Sequence, residues 1–353
     1  MIFTGVSLQH FRSYESATYL FSPQTTIIVG PNTAGKSNLL EAIFLLSSGK
    51  SFRAEKDVQM IASNQHLARV KGQIEENGEK DTLEAIVTDS VGMSRSFAKR
   101  FLVNGVPKRR VDFAGRLPAL LFVPSDLDII ISSPSHRRSF LDDVLDLVDR
   151  QYRLSSTAYE KALRQRNALL DVVAETGIRN DEQFRYWDEI VIKNGSYLTQ
   201  KRQELIDFFN TEEKSLFNLF VTYDHSIISE ERLEQYRGAE IGAKMTLVGP
   251  HRDDFFVEFQ DKEERRNVKQ YGSRGQQRLV VLQLKLLQLT YIEKVMGQRP
   301  LLLLDDIFSE LDEGHIKDVL DIVGMQQTIL TTTHQEFIKS KVKEAKIIEL
   351  KKD

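Results

Sequence analysis

Eight consecutive residues, Gly30-Pro31-Asn32-Thr33-Ala34-Gly35-Lys36-Ser37, carry the most specific chemistry in this sequence. They match G-x-x-x-x-G-K-S in full, a spacing that lets the backbone wrap a phosphate and present N–H groups to it. Lys36 is then a point charge for the outer phosphates, and Ser37 supplies a hydroxyl to Mg2+. A second element, Leu301-Leu302-Leu303-Leu304-Asp305-Asp306, reads as a buried central strand that ends in two carboxylates. At that carboxyl end, beside the loop, Asp305 would hold Mg2+ and Asp306 would orient or deprotonate the attacking water. An acidic pair after an apolar run is weak evidence alone, because Asp often starts a turn. Joined to the glycine loop, it predicts an ATP-hydrolysing site.

The elements needed to position that loop are in order. Residues 25–29 are a β-branched run leading into it, and residues 38–47 read as the helix behind it, with Leu39, Leu40, Ile43, Phe44 and Leu46 apolar. Asn77-Gly78 and Asn104-Gly105 each sit between alternating runs and predict two antiparallel hairpins. From residue 140 to 220 the apolar positions fall at three- and four-residue spacing, which predicts a helical arm folded back near Glu175-Thr176-Gly177. Strand character returns at residues 245–248 and 255–259. A helix follows from Gly275 to about Met296, then the acidic strand, a helix over 312–323, and strands at 328–332 and 347–350. Neither half of this core could bury its own sheet, so the two must dock into one α/β domain.

Bulk properties narrow the setting. The chain has 353 residues, a formal net charge of -3 and no cysteine. That removes disulfides and thiolate metal sites and fits a reducing cytoplasm. No run approaches the roughly 20 apolar residues that span a bilayer, so no membrane role is expected. The net charge does not advertise nucleic-acid binding, so any DNA contact must be local. The strongest basic cluster is Arg95, Lys99, Arg100, Lys108, Arg109, Arg110 and Arg116, and a second lies along the arm at Arg150, Arg153, Lys161, Arg164 and Arg166. Solvated hairpins and helices often carry such charge without a ligand.

Three further pieces sharpen the class. Ser273-Arg274-Gly275-Gln276-Gln277 precedes a helix, Ser309-Glu310-Leu311-Asp312 follows the acidic pair, and His334 closes the Thr331-Thr332-Thr333 run. In this order they resemble the signature motif, D-loop and switch histidine of ABC-type ATPases. The resemblance implies that Ser273 and Gly275 meet the γ-phosphate held by a second subunit.

Other motifs narrow it again. Leu8-Gln9-His10-Phe11-Arg12-Ser13-Tyr14, the run from Gly35 through Asn38 and Glu41 to Ile43, Lys50-Ser51-Phe52-Arg53, and Pro124-Ser125-Asp126-Leu127 resemble the RecF family of DNA repair ATPases. So do Ser133-Pro134 with Arg137-Arg138, and above all Gly249-Pro250-His251-Arg252-Asp253-Asp254. Two departures stand out: Thr33 occupies a place where a small residue, often glycine, is usual, and Ser125 replaces an acidic residue. The resemblance implies an ABC-type ATPase head, a mixed sheet with flanking antiparallel hairpins, built from residues 1–134 and 243–353. The helical arm, residues 135–242, is inserted between them.

It also implies Arg12, Arg53, Asn38 and Gln276 as further nucleotide contacts and an ATP-dependent homodimer on double-stranded DNA near single-stranded gaps. Slow hydrolysis, a RecR-like mediator partner and help in loading a recombinase complete the expectation. An SMC-type chromosome-organising ATPase would share the head chemistry, although this arm is short for a long coiled coil. A transporter subunit would need neither the arm nor the motif at Gly249, and an ATP-gated binding module would need no turnover.

Overall fold

The computed structural model describes residues 1–89, 99–261, 264–309, 323–333 and 345–351. These divide into two compact units, Met1–Asp126 with Gln288–Asp353, and Leu127–Leu287. The first unit is organised by a five-stranded parallel sheet. Its order is Lys346–Glu349, Thr25–Val29, Thr328–Thr332, Leu301–Asp305 and Ala119–Phe122. Four of these strands, all but the edge strand Lys346–Glu349, are buried at every position, which is why they read as unbroken apolar or β-branched runs. The strand before the phosphate loop has both its neighbours from beyond residue 327, so the core halves do interleave.

A six-stranded antiparallel sheet completes this unit, in the order Tyr14–Leu20, Ile2–Phe11, Leu67–Glu76, Glu79–Thr88, Lys99–Val103 and Val106–Lys108. Its hairpins turn at Asn77-Gly78 (φ 52 and 85) and Asn104-Gly105 (φ 51 and 77). Positive φ at both central residues is the type I′ turn that matches strand twist. The helix Lys36–Ser48 buries Leu39, Leu40, Ile43 and Leu46 in a core shared with Phe3, Val70 and Leu83 of this sheet and Leu303 and Ile329 of the other. The helix expected over 312–323, Arg95 and His334 lie outside the described residues.

The second unit holds the helices Pro134–Val148, Arg150–Thr176, Asp181–Thr211 and Glu230–Ala243. The fold-back falls at Gly177, a left-handed cap whose N–H reaches the Val173 carbonyl at 2.8 Å. This unit extends beyond the arm expected at residues 135–242, because it includes a three-stranded antiparallel sheet, Glu264–Asn267, Asp254–Asp261 and Phe220–Asp224. Two expectations are corrected here. The third helix stops at Thr211, and Phe220 opens a strand, with Asn210 bonding both the N–H and the carbonyl of Val221. Residues 245–248 form no strand: the Thr246 N–H bonds Asn167 and the Leu247 N–H bonds Glu240, so side chains satisfy groups a ladder would have used.

Buried charge ties this unit together, and the motif at Gly249 lies at its centre. Arg202, 5% exposed, donates to Asp142 (2.8 and 2.9 Å), to Asp253 (2.9 Å) and to the Pro250 carbonyl (2.7 Å). Arg137 grips Asp254 with two bonds, at 2.6 and 3.0 Å, and Arg138 donates to the Asp253 carbonyl at 2.8 Å. The motifs at Ser133 and Gly249 therefore bind each other, helix to strand. Gly249 lies at φ 117, and a Cβ there would meet the Tyr159 hydroxyl at 2.6 Å. That hydroxyl donates to His251 Nδ1 at 2.7 Å, while His251 Nε2–H donates to the Thr246 carbonyl at 3.0 Å. Arg153 and Arg166, expected on a basic face, are buried instead. Arg166 bonds Asp188, Glu240 and Thr246, and Arg153 caps the carbonyls of Asp146 and Leu147.

Two outcomes follow from this network. Arg202→Ala strands Asp253 and Asp142 without their cation, and should lower the unfolding free energy by about 3–5 kcal/mol. The exposed pair Lys201–Glu204 serves as the control, because Lys201→Ala should cost under about 1 kcal/mol in the same urea titration. Burial, reinforced by Arg252 and Arg138, pushes the His251 imidazole down to about 4. Unfolding then takes up one proton between about pH 6.5 and 4, so stability falls with acid by about 1.4 kcal/mol per pH unit in that window and is complete above it. His251→Asn should lack that slope, so the wild-type-minus-variant difference in unfolding free energy should fall with acid by about 1.4 kcal/mol per pH unit across this window; a pH-independent difference would refute the assignment.

Candidate nucleotide site

The strand Thr25–Val29 delivers the chain to Gly30 at the carboxyl end of the parallel sheet, where a Cβ would meet the Leu350 carbonyl oxygen at 2.8 Å. The loop then climbs to Gly35 at φ 89, whose missing side chain leaves room for the Tyr14 hydroxyl. That hydroxyl donates to the Gly35 carbonyl at 3.0 Å and fixes the start of the helix. Gly35 at the N-cap offers no side-chain bond, and among the described residues no side chain caps the N-terminus of Lys36–Ser48, so its first N–H groups and the positive end of its dipole face the loop. Thr33 sits at φ 75. A β-branched residue there costs roughly 1–2 kcal/mol relative to ordinary backbone, strain that a glycine would not carry. The departure at Thr33 is thus a conformational one, with the side chain exposed.

Lys36 curls back over the loop, its Nζ donating to the carbonyls of Gly30 (2.7 Å) and Pro31 (3.1 Å). Burial lowers the affinity of this amine for its proton, while Asp306 and Asp305 oppose the shift. Ser37 Oγ donates to Asp305 Oδ1 at 3.0 Å across 268 residues of sequence, and Thr331 Oγ1 donates to the same oxygen at 2.7 Å. Asp306 follows at φ 49, its N–H held by Thr331 Oγ1 at 3.0 Å. The hydroxyl of Ser37 and the carboxylate of Asp305 are hard oxygen donors of the kind that would suit Mg2+.

A second cluster lies one helical turn on. Arg12 donates to the fully buried Glu41 through Nε (2.9 Å) and Nη2 (2.6 Å), and Arg53 Nε does so at 2.9 Å. Arg53 also bonds Asn38 Oδ1, and Asn38 Nδ2 bonds Ser13 Oγ at 2.7 Å. Burial would raise the Glu41 carboxyl, but the bonds from Arg12, Ser51 and Arg53 win and hold it below the ordinary range. The structure thus gathers Gly30 to Asn38, Asp305, Asp306, Arg12 and Arg53 in one unit.

Ser273, Gly275 and Gln276 belong to the other unit. There Ser273 and Gln276 form a reciprocal cap on the helix Arg274–Met296: the Gln276 N–H bonds Ser273 Oγ at 3.3 Å and the Ser273 N–H bonds Gln276 Oε1 at 2.8 Å. Both Ser273 and Gly275 are exposed, and a Cβ on Gly275 would meet nothing within 4 Å. His334 and the residues from Glu310 to Asp312 fall outside the described part. Three participants were missed in the sequence: Thr331, Tyr14 and Glu41. Only Glu41 had a readable signal, a charge four residues after Ser37 amid Leu39, Leu40 and Ile43.

Comparison with known proteins gives the family. Residues 2–352 match the family model described as RecF/RecN/SMC N terminal domain. The chain is 35% identical over 340 residues to the DNA replication and repair protein RecF of Moorella thermoacetica, covering 93% of this chain and 89% of that protein. It is 35% identical to the RecF of Cyanothece sp., covering 99% and 96%. Among solved structures, the recombination mediator protein RecF with ATP superposes with a TM-score of 0.85 at 28% identity, over 97% of this chain and 93% of that one. An SMC head bound to a winged-helix domain of ScpA (TM-score 0.52, 18% identity) shares the fold. This chain belongs to the RecF family of ABC/SMC-like ATPases.

Proposed function

We propose that this protein is an ATP-operated clamp on duplex DNA that serves recombinational repair in the cytoplasm. The observation that carries the reading is the convergence of the uncapped loop helix, Lys36, and the Ser37–Asp305 contact in one place. Loop N–H groups and Lys36 bind the phosphates, exchanging the lysine's bonds to Gly30 and Pro31 for phosphate oxygens. Ser37 and Asp305 would hold Mg2+, which supplies charge neutralisation when bound. Asp306, fixed through its N–H, is placed to orient or deprotonate water, with His334 as its expected helper. Residues 1–134 and 243–353 act as the ATPase head, and 135–242 as its arm.

The exposed Ser273 and Gly275 would close over nucleotide held by a second copy, so that ATP joins two heads and slow hydrolysis parts them. RecF relatives are named for DNA replication and repair, and their solved structures for the RecFOR pathway. These names support DNA and a RecR-like mediator as partners; duplex DNA near single-stranded gaps and recombinase loading complete the proposal. For DNA, the exposed Arg100, Lys108 and Arg109 of the Asn104-Gly105 hairpin sheet are the best candidates. Lys99 and Arg110 are engaged elsewhere, with Asp57 and with the Ser48 carbonyl. The SMC-type reading keeps only the shared head.

Sizing the full chain with ATP and duplex DNA tests the clamp. Wild type should dimerise and Ser273→Arg should stay monomeric while still binding ATP; a wild-type monomer under every condition would sink the mechanism. Charge reversal at Arg100, Lys108 and Arg109 should weaken duplex binding and flatten its log–log salt dependence by roughly 0.9 per lost phosphate contact. An unchanged slope would place DNA elsewhere.

A further inference from the structure

Arg12 and Arg53 converge, from segments 41 residues apart in sequence, on a single side chain of the helix behind the phosphate loop, and Glu41 holds them both. Glu41 is completely buried, whereas Arg12 and Arg53 are 20% and 35% exposed at their side chains. Its two carboxylate oxygens receive Arg12 Nε and Nη2, Arg53 Nε and Nη2, and the Ser51 hydroxyl at 2.6 Å. Arg12 is braced further by the Gln59 carbonyl at 2.7 Å, and Arg53 by Asn38. Every atom of this carboxylate is therefore spent inside the protein. It has no capacity left for a ligand.

The charge balance is uneven: two guanidinium groups share one carboxylate and leave one net positive charge beside the helix that carries Lys36 and Ser37. Unaided, two long cations at this spacing would repel and swing into solvent, because each carries several freely rotating bonds. The carboxylate removes both costs before any ligand arrives. Planar guanidinium groups anchored on one edge present their remaining N–H donors in a fixed direction, a preorganised arrangement suited to phosphate oxygens. Glu41 also stands on the helix that carries Lys36 and Ser37, so the arginines are indexed to the same rigid body as the loop.

We propose that Glu41 is a positioning residue for nucleotide binding, a buried carboxylate that touches no nucleotide itself but sets the direction of both Arg12 and Arg53 toward the phosphates. This rests on the reading of those two arginines as nucleotide contacts. Calorimetric titration of ATP into the full-length protein tests it, using Arg12→Ala, Arg53→Ala, Glu41→Gln and the doubles of Glu41→Gln with each arginine variant. Glu41→Gln keeps the shape and removes the charge. It should weaken ATP by about tenfold, as expected when two charge-assisted contacts lose their alignment.

Because Glu41 acts through the arginines, each double variant should be clearly less weakened than its two singles combined would require; the free energies should be sub-additive. Glu41→Asp, which restores the charge one methylene shorter, should recover part of the affinity. Thermal melts run in parallel identify the folded fraction, and affinities are referred to it. If both arginine variants bind ATP like wild type, the underlying contact reading fails. If they weaken ATP while Glu41→Gln does not, or if Glu41→Gln tightens it, or if the effects simply add, the positioning role is overturned.

Discussion

One carboxylate oxygen, Asp305 Oδ1, is the point on which the first unit is assembled. It receives the hydroxyl of Ser37 from the loop helix and the hydroxyl of Thr331 from the neighbouring strand, so three distant pieces of chain meet on one atom. The bonds are available only because Thr25–Val29, Thr328–Thr332 and Leu301–Asp305 lie side by side and parallel, which brings their carboxyl ends to one edge. An acid there, 8% exposed, is tolerated because both hydroxyls satisfy it. The same bonds fix where the loop, its lysine and Asp306 stand. Chemistry and architecture are one constraint at this atom.

The second unit follows a different logic. Its helices and strands are held by buried ions rather than by apolar contact alone, with Arg202, Arg137 and Arg166 each bound to carboxylates. Such pairs are weak contributors to net stability compared with a well-packed apolar alternative, yet each demands one arrangement and penalises others. The run from Gly249 to Asp254 is thereby explained without a ligand. It is the junction between the helices and the strand that follows, and its His251 is kept neutral by burial and oriented by two directional bonds.

What could be read in the sequence was what depends on neighbours along the chain. The phosphate loop, the Leu301–Asp305 strand and the two Asn-Gly hairpins are set by local spacing and turn chemistry, and the structure places them as expected. Arg153 and Arg166 were not legible, because a basic residue at helical spacing looks the same whether solvated or clasped by carboxylates from other elements. Residues 245–248 misled for a related reason: their apolar character suggested a ladder, while their backbone partners are the side chains of Asn167 and Glu240. Thr331 and Tyr14 gained their places at the site only through sheet registry and a turn, which no short window contains.

The strand order of the parallel sheet also bears on how the protein is made. Thr25–Val29 emerges early in synthesis, yet both strands that flank it come from beyond residue 327. Until residues 328–332 and 346–349 have left the ribosome, this apolar strand has an open edge on each side, the condition under which sheets pair wrongly between chains. Loop closures of this length are slow. Nascent chains paused before residue 328 therefore carry an unpaired strand edge and lack the Thr331 bond that fixes Asp305.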